Sequence, residues 1–354
     1  MTTRSKIVLV LCGLSVVIVA FSVRFRVFAR PDFGFTNREM AKATMLLVTK
    51  SVLQVRGVLD FSGTDVQRPV AILSTDDGTL LILDNEGALF TSRFLAGSLG
   101  PPARLALSRA LDLPIDMDFV GSGRSLVVAG REGLTTVDYP DSLETVGPTR
   151  FFDTVRHVAA LGRAGVIVSV FGTDGPRLLA TANVGAELIS KANVLLSEET
   201  IPEPPRLATC GDKTLVLQDA RSARIYLFRA GLTVPVVKTV PEAVERATIV
   251  ASRSANRVSP TERVRRLGAA LTCGQSVAAS ALAVAWPALM FVNTATEESA
   301  LFLSPVPLEG NHPVDIAVSE SMNSVFVLYG VSGSAGRIVI FALPEGLFRH
   351  ARAG

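Results

Sequence analysis

Five polar side chains recur at matched places in short apolar segments, and they are the residues of this sequence best suited to bind a ligand: Asp116, Asp118, His157, Arg206 and Asp315. Carboxylate oxygens are the ligands that Ca²⁺ prefers, so aspartates that share a channel could hold a cation. Two neighbouring carboxylates raise each other's pKa unless a cation or a basic partner such as Arg206 or His157 offsets the repulsion. The alternative is that these aspartates are solvated channel lining.

The motifs of the common enzyme classes do not occur in the sequence. It contains no glycine-rich phosphate loop, no Gly-x-Ser-x-Gly nucleophile elbow and no His-Glu-x-x-His zinc motif. Three histidines and three cysteines without a Cys-x-x-Cys pair make a zinc site improbable. The sequence therefore predicts no catalytic residue, no metal-ligand set and no cofactor.

The segments that carry the five polar residues repeat along the chain. The repeats begin with RPVAIL from Arg68, IDMDFV from Ile115, RHVAAL from Arg156, PRLATC from Pro205 and HPVDIA from His312, and the first four starts are 47, 41 and 49 residues apart. Each segment is followed by a polar or glycine turn and a second apolar run. Such a period predicts one four-stranded blade per repeat, and hence an all-β fold, a β-propeller of six or seven blades. A degenerate copy is predicted near Ala281, with ALAVAW as its first strand.

Alternation along the first strand of each repeat assigns its residues to two faces. The third position is apolar in every copy. The fourth position is small or acidic, as expected for strands that crowd around a central axis: Ala71, Asp118, Ala159, Ala208 and Asp315. We therefore expect Asp118 and Asp315 to be equivalent and to face the central channel. Asp116, His157 and Arg206 hold the second position, near the channel mouth.

The last repeat, HPVDIAVSESMNSVFVLYGVSGSAGRIVIFAL, resembles the NHL and YVTN classes of propeller repeat. The residues that carry the resemblance are Pro313, Asp315, Ile316, Ala317, Val318, Phe326, Arg337, Ile338 and Phe341. The resemblance implies the propeller fold and does not indicate a particular function.

The propeller is predicted over residues 44–345, followed by a C-terminal tail at 346–354. Residues 45–61 form a spare strand or strand pair ahead of the first repeat, and we expect it to complete the last blade and close the ring. Gly78 and Gly87 are expected at tight turns that need a positive φ.

An apolar segment near the N-terminus predicts attachment to a membrane. Residues 7–23 contain no charge and would rise about 26 Å as a helix, near the lower limit for a bilayer span. We interpret residues 1–30 as an uncleaved signal-anchor, joined by a linker at 31–43, with the domain on the periplasmic or lumenal side. A cleaved secretory signal peptide is the competing interpretation.

Two further features of the sequence have two interpretations each. Residues 267–296 contain no charge, so they are either buried blade strands or a second membrane span. Cys210 and Cys273 are either two buried free thiols or a disulfide pair.

Composition favours a protein-binding function over nucleic-acid binding. The net charge is only +3 and no dense basic stripe occurs, so no nucleic-acid partner is expected. We predict a membrane-anchored propeller that acts as a non-catalytic interaction or scaffold module. The alternative is a propeller hydrolase of the gluconolactonase or strictosidine-synthase sort, with a metal in its central channel.

Overall fold

The computed structural model of this protein describes residues between 53 and 343, in the stretches 53–95, 97–120, 125–131, 133–150, 154–161, 165–173, 175–181, 190–192, 203–210, 214–219, 224–229, 236–239, 271–273, 280–285, 288–294, 299–303, 311–331 and 335–343. Every regular element within them is a β-strand. In these stretches no helix is long and apolar enough to cross a membrane. The predicted membrane segment at 7–23, the linker at 31–43 and the tail at 346–354 lie outside the described residues.

The described strands form six sheets, in which strands that follow each other in sequence pair antiparallel. The first described strand is β1 (Val55–Asp60). Sheet 1 contains β2 (Pro69–Ser74), β3 (Thr79–Asp84), β4 (Leu89–Leu95), β5 (Ser98–Leu99) and β6 (Ala103–Arg104). Sheet 2 contains β7 (Pro114–Val120), β8 (Ser125–Gly130), β9 (Gly133–Asp138) and β10 (Thr145–Arg150). Sheet 3 contains β11 (Thr154–Leu161), β12 (Gly165–Gly172), β13 (Gly175–Thr181) and β14 (Ser190–Ala192).

The second half of the chain builds the other three sheets. Sheet 4 contains β15 (Arg206–Cys210), β16 (Thr214–Asp219), β17 (Arg224–Arg229) and β18 (Val236–Thr239). Sheet 5 contains β19 (Leu271–Cys273), β20 (Ser280–Ala285), β21 (Ala288–Asn293) and β22 (Ser299–Leu303). Sheet 6 contains β23 (Asn311–Ser319), β24 (Ser324–Val331) and β25 (Arg337–Ala342), with β1 as its outer strand.

The sheets are arranged around one axis, as in a β-propeller. The first strand of each sheet packs beside the first strand of the next, in the cyclic order β2, β7, β11, β15, β19, β23 and back to β2. Apolar clusters fill the junctions between neighbouring sheets 1 and 2, 2 and 3, 3 and 4, 5 and 6, and 6 and 1. The alternating apolar residues of each strand thus face two neighbours, which explains why the second strands are largely apolar on both faces. The all-β propeller prediction is confirmed.

The ring is closed by the strand that lies first in the sequence. Antiparallel pairing joins β1 to β25, with Val55 opposite Phe341 and Asp60 opposite Arg337. The predicted closure by a spare N-terminal strand is therefore confirmed for Val55–Asp60. Closure covers the edge of sheet 6 that would otherwise expose unpaired backbone groups.

Residues 267–296, which the sequence allowed to be either blade strands or a second membrane span, contain strands. Its described residues form β19, β20 and β21, which supports blade strands over a second membrane span. One prediction is wrong: ALAVAW is the second strand of sheet 5, because β20 pairs with β19 on one side and β21 on the other. Cys210 and Cys273 form a disulfide, with Cα atoms 5.3 Å apart.

Both predicted turn glycines have a positive φ, and Gly87 also has a neighbour at very short range. Gly78 has φ +90° and Gly87 has φ +87°. A Cβ atom on Gly87 would lie 2.0 Å from the carbonyl oxygen of Leu111, which belongs to the connection between sheets 1 and 2. Gly87 therefore lets this connection pass close over the turn.

Replacing Gly87 by alanine should lower the free energy of unfolding by about 3 kcal/mol, because left-handed backbone strain and a steric clash add together. The matched control is Gly63→Ala. Gly63 has φ +80°, but a Cβ there meets nothing within 4 Å. The control should lose only the backbone contribution, about 1 kcal/mol. Urea denaturation measures the free energy of unfolding of both variants. Equal losses would show that the contact with Leu111 adds nothing to the cost of the Gly87 substitution.

Candidate functional site

Four of the five predicted site residues lie at one level of their sheets. Each is paired with the fifth residue of its sheet's second strand. We call these four residues the axial layer: Asp116 opposite Ala129, His157 opposite Ser169, Arg206 opposite Gln218, and Asp315 opposite Leu328. In sheet 1 the same level is occupied by Ala71, opposite Leu83. Asp118 lies two residues further along β7.

The predicted equivalence of Asp118 and Asp315 is wrong. Asp118 pairs with Val127, the third residue of β8, whereas Asp315 pairs with the fifth residue of β24. The residue equivalent to Asp315 is Asp116. Because side chains alternate with a period of two, a slip of two residues leaves the apolar and polar pattern of a strand unchanged. The pattern alone therefore could not reveal the error.

A proline was the overlooked signal for the correct register. Proline stands two residues before the axial level in sheets 1, 2, 4 and 6, at Pro69, Pro114, Pro204 and Pro313. Proline has no N–H to donate, so it suits the first residue of a strand or a bulge. Pairing shifts by one residue directly after Pro69, Pro114 and Pro313.

The three aspartates bind backbone N–H groups of the next sheet in the ring. Asp116 Oδ2 accepts from Val158 N at 3.2 Å, and Asp118 Oδ2 accepts from Ala160 N at 2.7 Å. At another junction Asp315 Oδ2 accepts from Ile72 N at 2.8 Å. Innermost strands are sheet edges toward the axis, so their N–H groups need acceptors from outside the sheet. The carboxylates provide these acceptors and join the sheets; the expectation of solvated lining is wrong for the buried Asp116 and Asp315.

The two basic residues of the axial layer each contact one of its carboxylates. His157 Nδ1 lies 3.2 Å from Asp116 Oδ2, which links sheets 2 and 3. Arg206 Nη2 donates to the carbonyl oxygen of Val314 at 2.8 Å, and its Nη1 lies 3.9 Å from Asp315 Oδ1. Arg206 thereby connects sheet 4 directly to sheet 6, past sheet 5. Arg206 therefore faces Asp315, one of the two carboxylates for which a basic partner was expected, whereas His157 contacts Asp116 instead.

Burial dominates the electrostatics of the site. Burial raises the pKa of Asp118 to about 6, although hydrogen bonds from Ala160 and Phe119 oppose the shift. Burial also raises the pKa of Asp315; Arg206 opposes this shift and Asp116 adds to it. Burial and the charge of Arg206 lower the pKa of His157 to about 4, so its imidazole is neutral near pH 7. The site thus combines a neutral histidine with two carboxyl groups, those of Asp118 and Asp315, whose pKa values are raised by burial.

The His157 environment predicts a pH dependence of stability. The pKa of His157 is about 4 in the folded protein and 6.5 in the unfolded chain. The folded protein therefore loses stability as pH falls from 6.5 to about 4, because the unfolded chain binds the proton first. Asp118 has the opposite effect: because burial raises its pKa from the ordinary 3.8 to about 6, the folded state binds the proton first, and stability is lost as pH rises through this interval. Between pH 7 and pH 4 the free energy of unfolding should therefore fall by up to about 3 kcal/mol less in His157→Gln than in the unsubstituted protein.

Urea denaturation at several pH values between 4 and 7 measures this difference. Arg68→Gln is the control, because Arg68 is exposed and directly precedes sheet 1, whereas His157 lies in sheet 3. Parallel pH curves for His157→Gln and the unsubstituted protein would contradict the predicted depression of the histidine pKa.

Two neighbours of the axial layer were not predicted from the sequence. Ser169 and Gln218 are buried opposite His157 and Arg206, and within the described residues the hydroxyl of Ser169 has no hydrogen-bond partner. The repeats do mark these two residues: the fifth residue of the second strand is polar in these two copies and apolar in the others. Across the described stretches, no group of three or more His, Cys, Asp or Glu side chains is placed to hold a metal ion.

Comparisons with known proteins support the fold. The crystal structure of the WD40 β-propeller domain of Doa1 is similar to this chain, with a TM-score of 0.52 and 9% sequence identity, over 84% of this chain and 99% of that one. At this identity the similarity shows the fold alone. No family model and no curated protein matches the sequence. The resemblance of the last repeat to NHL and YVTN repeats stays a prediction.

Proposed function

We propose that this protein is a non-catalytic interaction module, a β-propeller held at a membrane by residues 7–23. The observation that carries the proposal is what the three aspartates of the innermost strands bind. Asp116, Asp118 and Asp315 each accept a backbone N–H from the neighbouring sheet, so their oxygens hold the ring together. A metal-dependent propeller enzyme needs oxygen ligands that converge on one ion instead.

The disulfide supports a domain on the periplasmic or lumenal side of the membrane. Disulfides persist in oxidising compartments and are rare where glutathione and thioredoxin keep thiols reduced. Cys210 and Cys273 are far apart in sequence and form a bond between two sheets. This location agrees with the uncleaved signal-anchor proposed for residues 1–30. Removing residues 1–30 should release the protein from membranes; a truncated protein that still needs detergent would contradict the single-span topology.

Partner binding can be tested with matched surface variants. Phe171 and Leu113 are large apolar residues, 47% and 48% exposed; Phe171 pairs with Thr154 at the start of β11, and Leu113 directly precedes β7. Val146, on an outer strand, is 63% exposed and serves as the control. We expect the full chain, purified in detergent from its own membranes, to retain one specific protein. Phe171→Ser with Leu113→Ser should lose that protein, whereas Val146→Ser should keep it.

The enzyme alternative is tested by adding a metal. A metal that binds the folded protein stabilises it by mass action. We expect no rise in melting temperature at millimolar Ca²⁺. A rise that disappears in Asp116→Asn with Asp315→Asn would overturn the non-catalytic proposal and indicate a metal site in the channel.

A further inference from the structure

We draw no further inference here: the strongest candidate, the exposed apolar surface that Val55 and Val58 give to the outer strand of sheet 6, carries none because nothing in the described residues shows what covers it.

Discussion

Replacing Arg206 by methionine should lower the free energy of unfolding by about 3 kcal/mol at pH 8, because a buried carboxylate loses its cationic partner. Methionine keeps the apolar stem but cannot donate to Val314 or face Asp315. Without the guanidinium, the pKa of Asp315 should rise further above its ordinary value of 3.8. When the pKa of a carboxyl group is higher in the folded protein than in the unfolded chain, the protein loses stability as pH rises from the unfolded pKa to the folded pKa. The cost of the substitution should therefore be smaller at pH 5 than at pH 8.

Chemical denaturation at both pH values measures the effect. Arg156→Met is the matched control, since Arg156 is exposed and such surface changes usually stay within about 0.5 kcal/mol. A cost for Arg206→Met that does not depend on pH would mean that the residue acts through its hydrogen bond to Val314 alone.

Removing the closing strand should have a still larger effect. A chain that begins at Phe61 lacks β1, and with it the pairing to β25 and the contact of Leu59 with the cluster between sheets 6 and 1. We expect a loss of at least about 5 kcal/mol, which is comparable to the entire stability of many domains. Circular dichroism and size-exclusion chromatography should show unfolded or aggregated protein, because the edge of sheet 6 is open to other chains.

The matched control is a chain that begins at Leu53 and keeps β1. It should fold, with a strand-rich circular dichroism spectrum. A peptide of residues 53–61 added to the shorter chain should restore part of its stability by pairing with β25. Equal stability of the two chains would mean that β1 does not close the ring.

Sequence patterns could predict the fold because each repeat is locally complete. Apolar runs with a period of two, separated by turns at Gly78 and Gly87, indicate strands wherever they occur. The same group of strands recurs with a period of more than 40 residues, which indicates propeller blades. The spare strand before the first repeat indicates how the ring closes. All three inferences use short-range patterns, which sheet packing does not overrule.

The site could be predicted only in part, because it depends on relations between sheets. The five polar residues were identified as channel residues, yet the partner of each carboxylate is a backbone N–H of another sheet. Nothing in the sequence around Asp315 indicates that its oxygen meets Ile72 N, 243 positions away. Likewise, the Cys210–Cys273 pairing depends on which strand of sheet 5 is innermost, and that strand is too short to be recognised from its pattern.

Closure by β1 also constrains how the ring is made during protein synthesis. Among the described strands, Val55–Asp60 leaves the ribosome first and its partner Arg337–Ala342 leaves last. Until then β1 has no partner, and the edge that later accepts it does not exist. Contacts between such distant residues slow folding, and an unpaired edge strand invites association with other chains. The interval between translation of the first and last strands is therefore the period in which this protein most needs protection by chaperones.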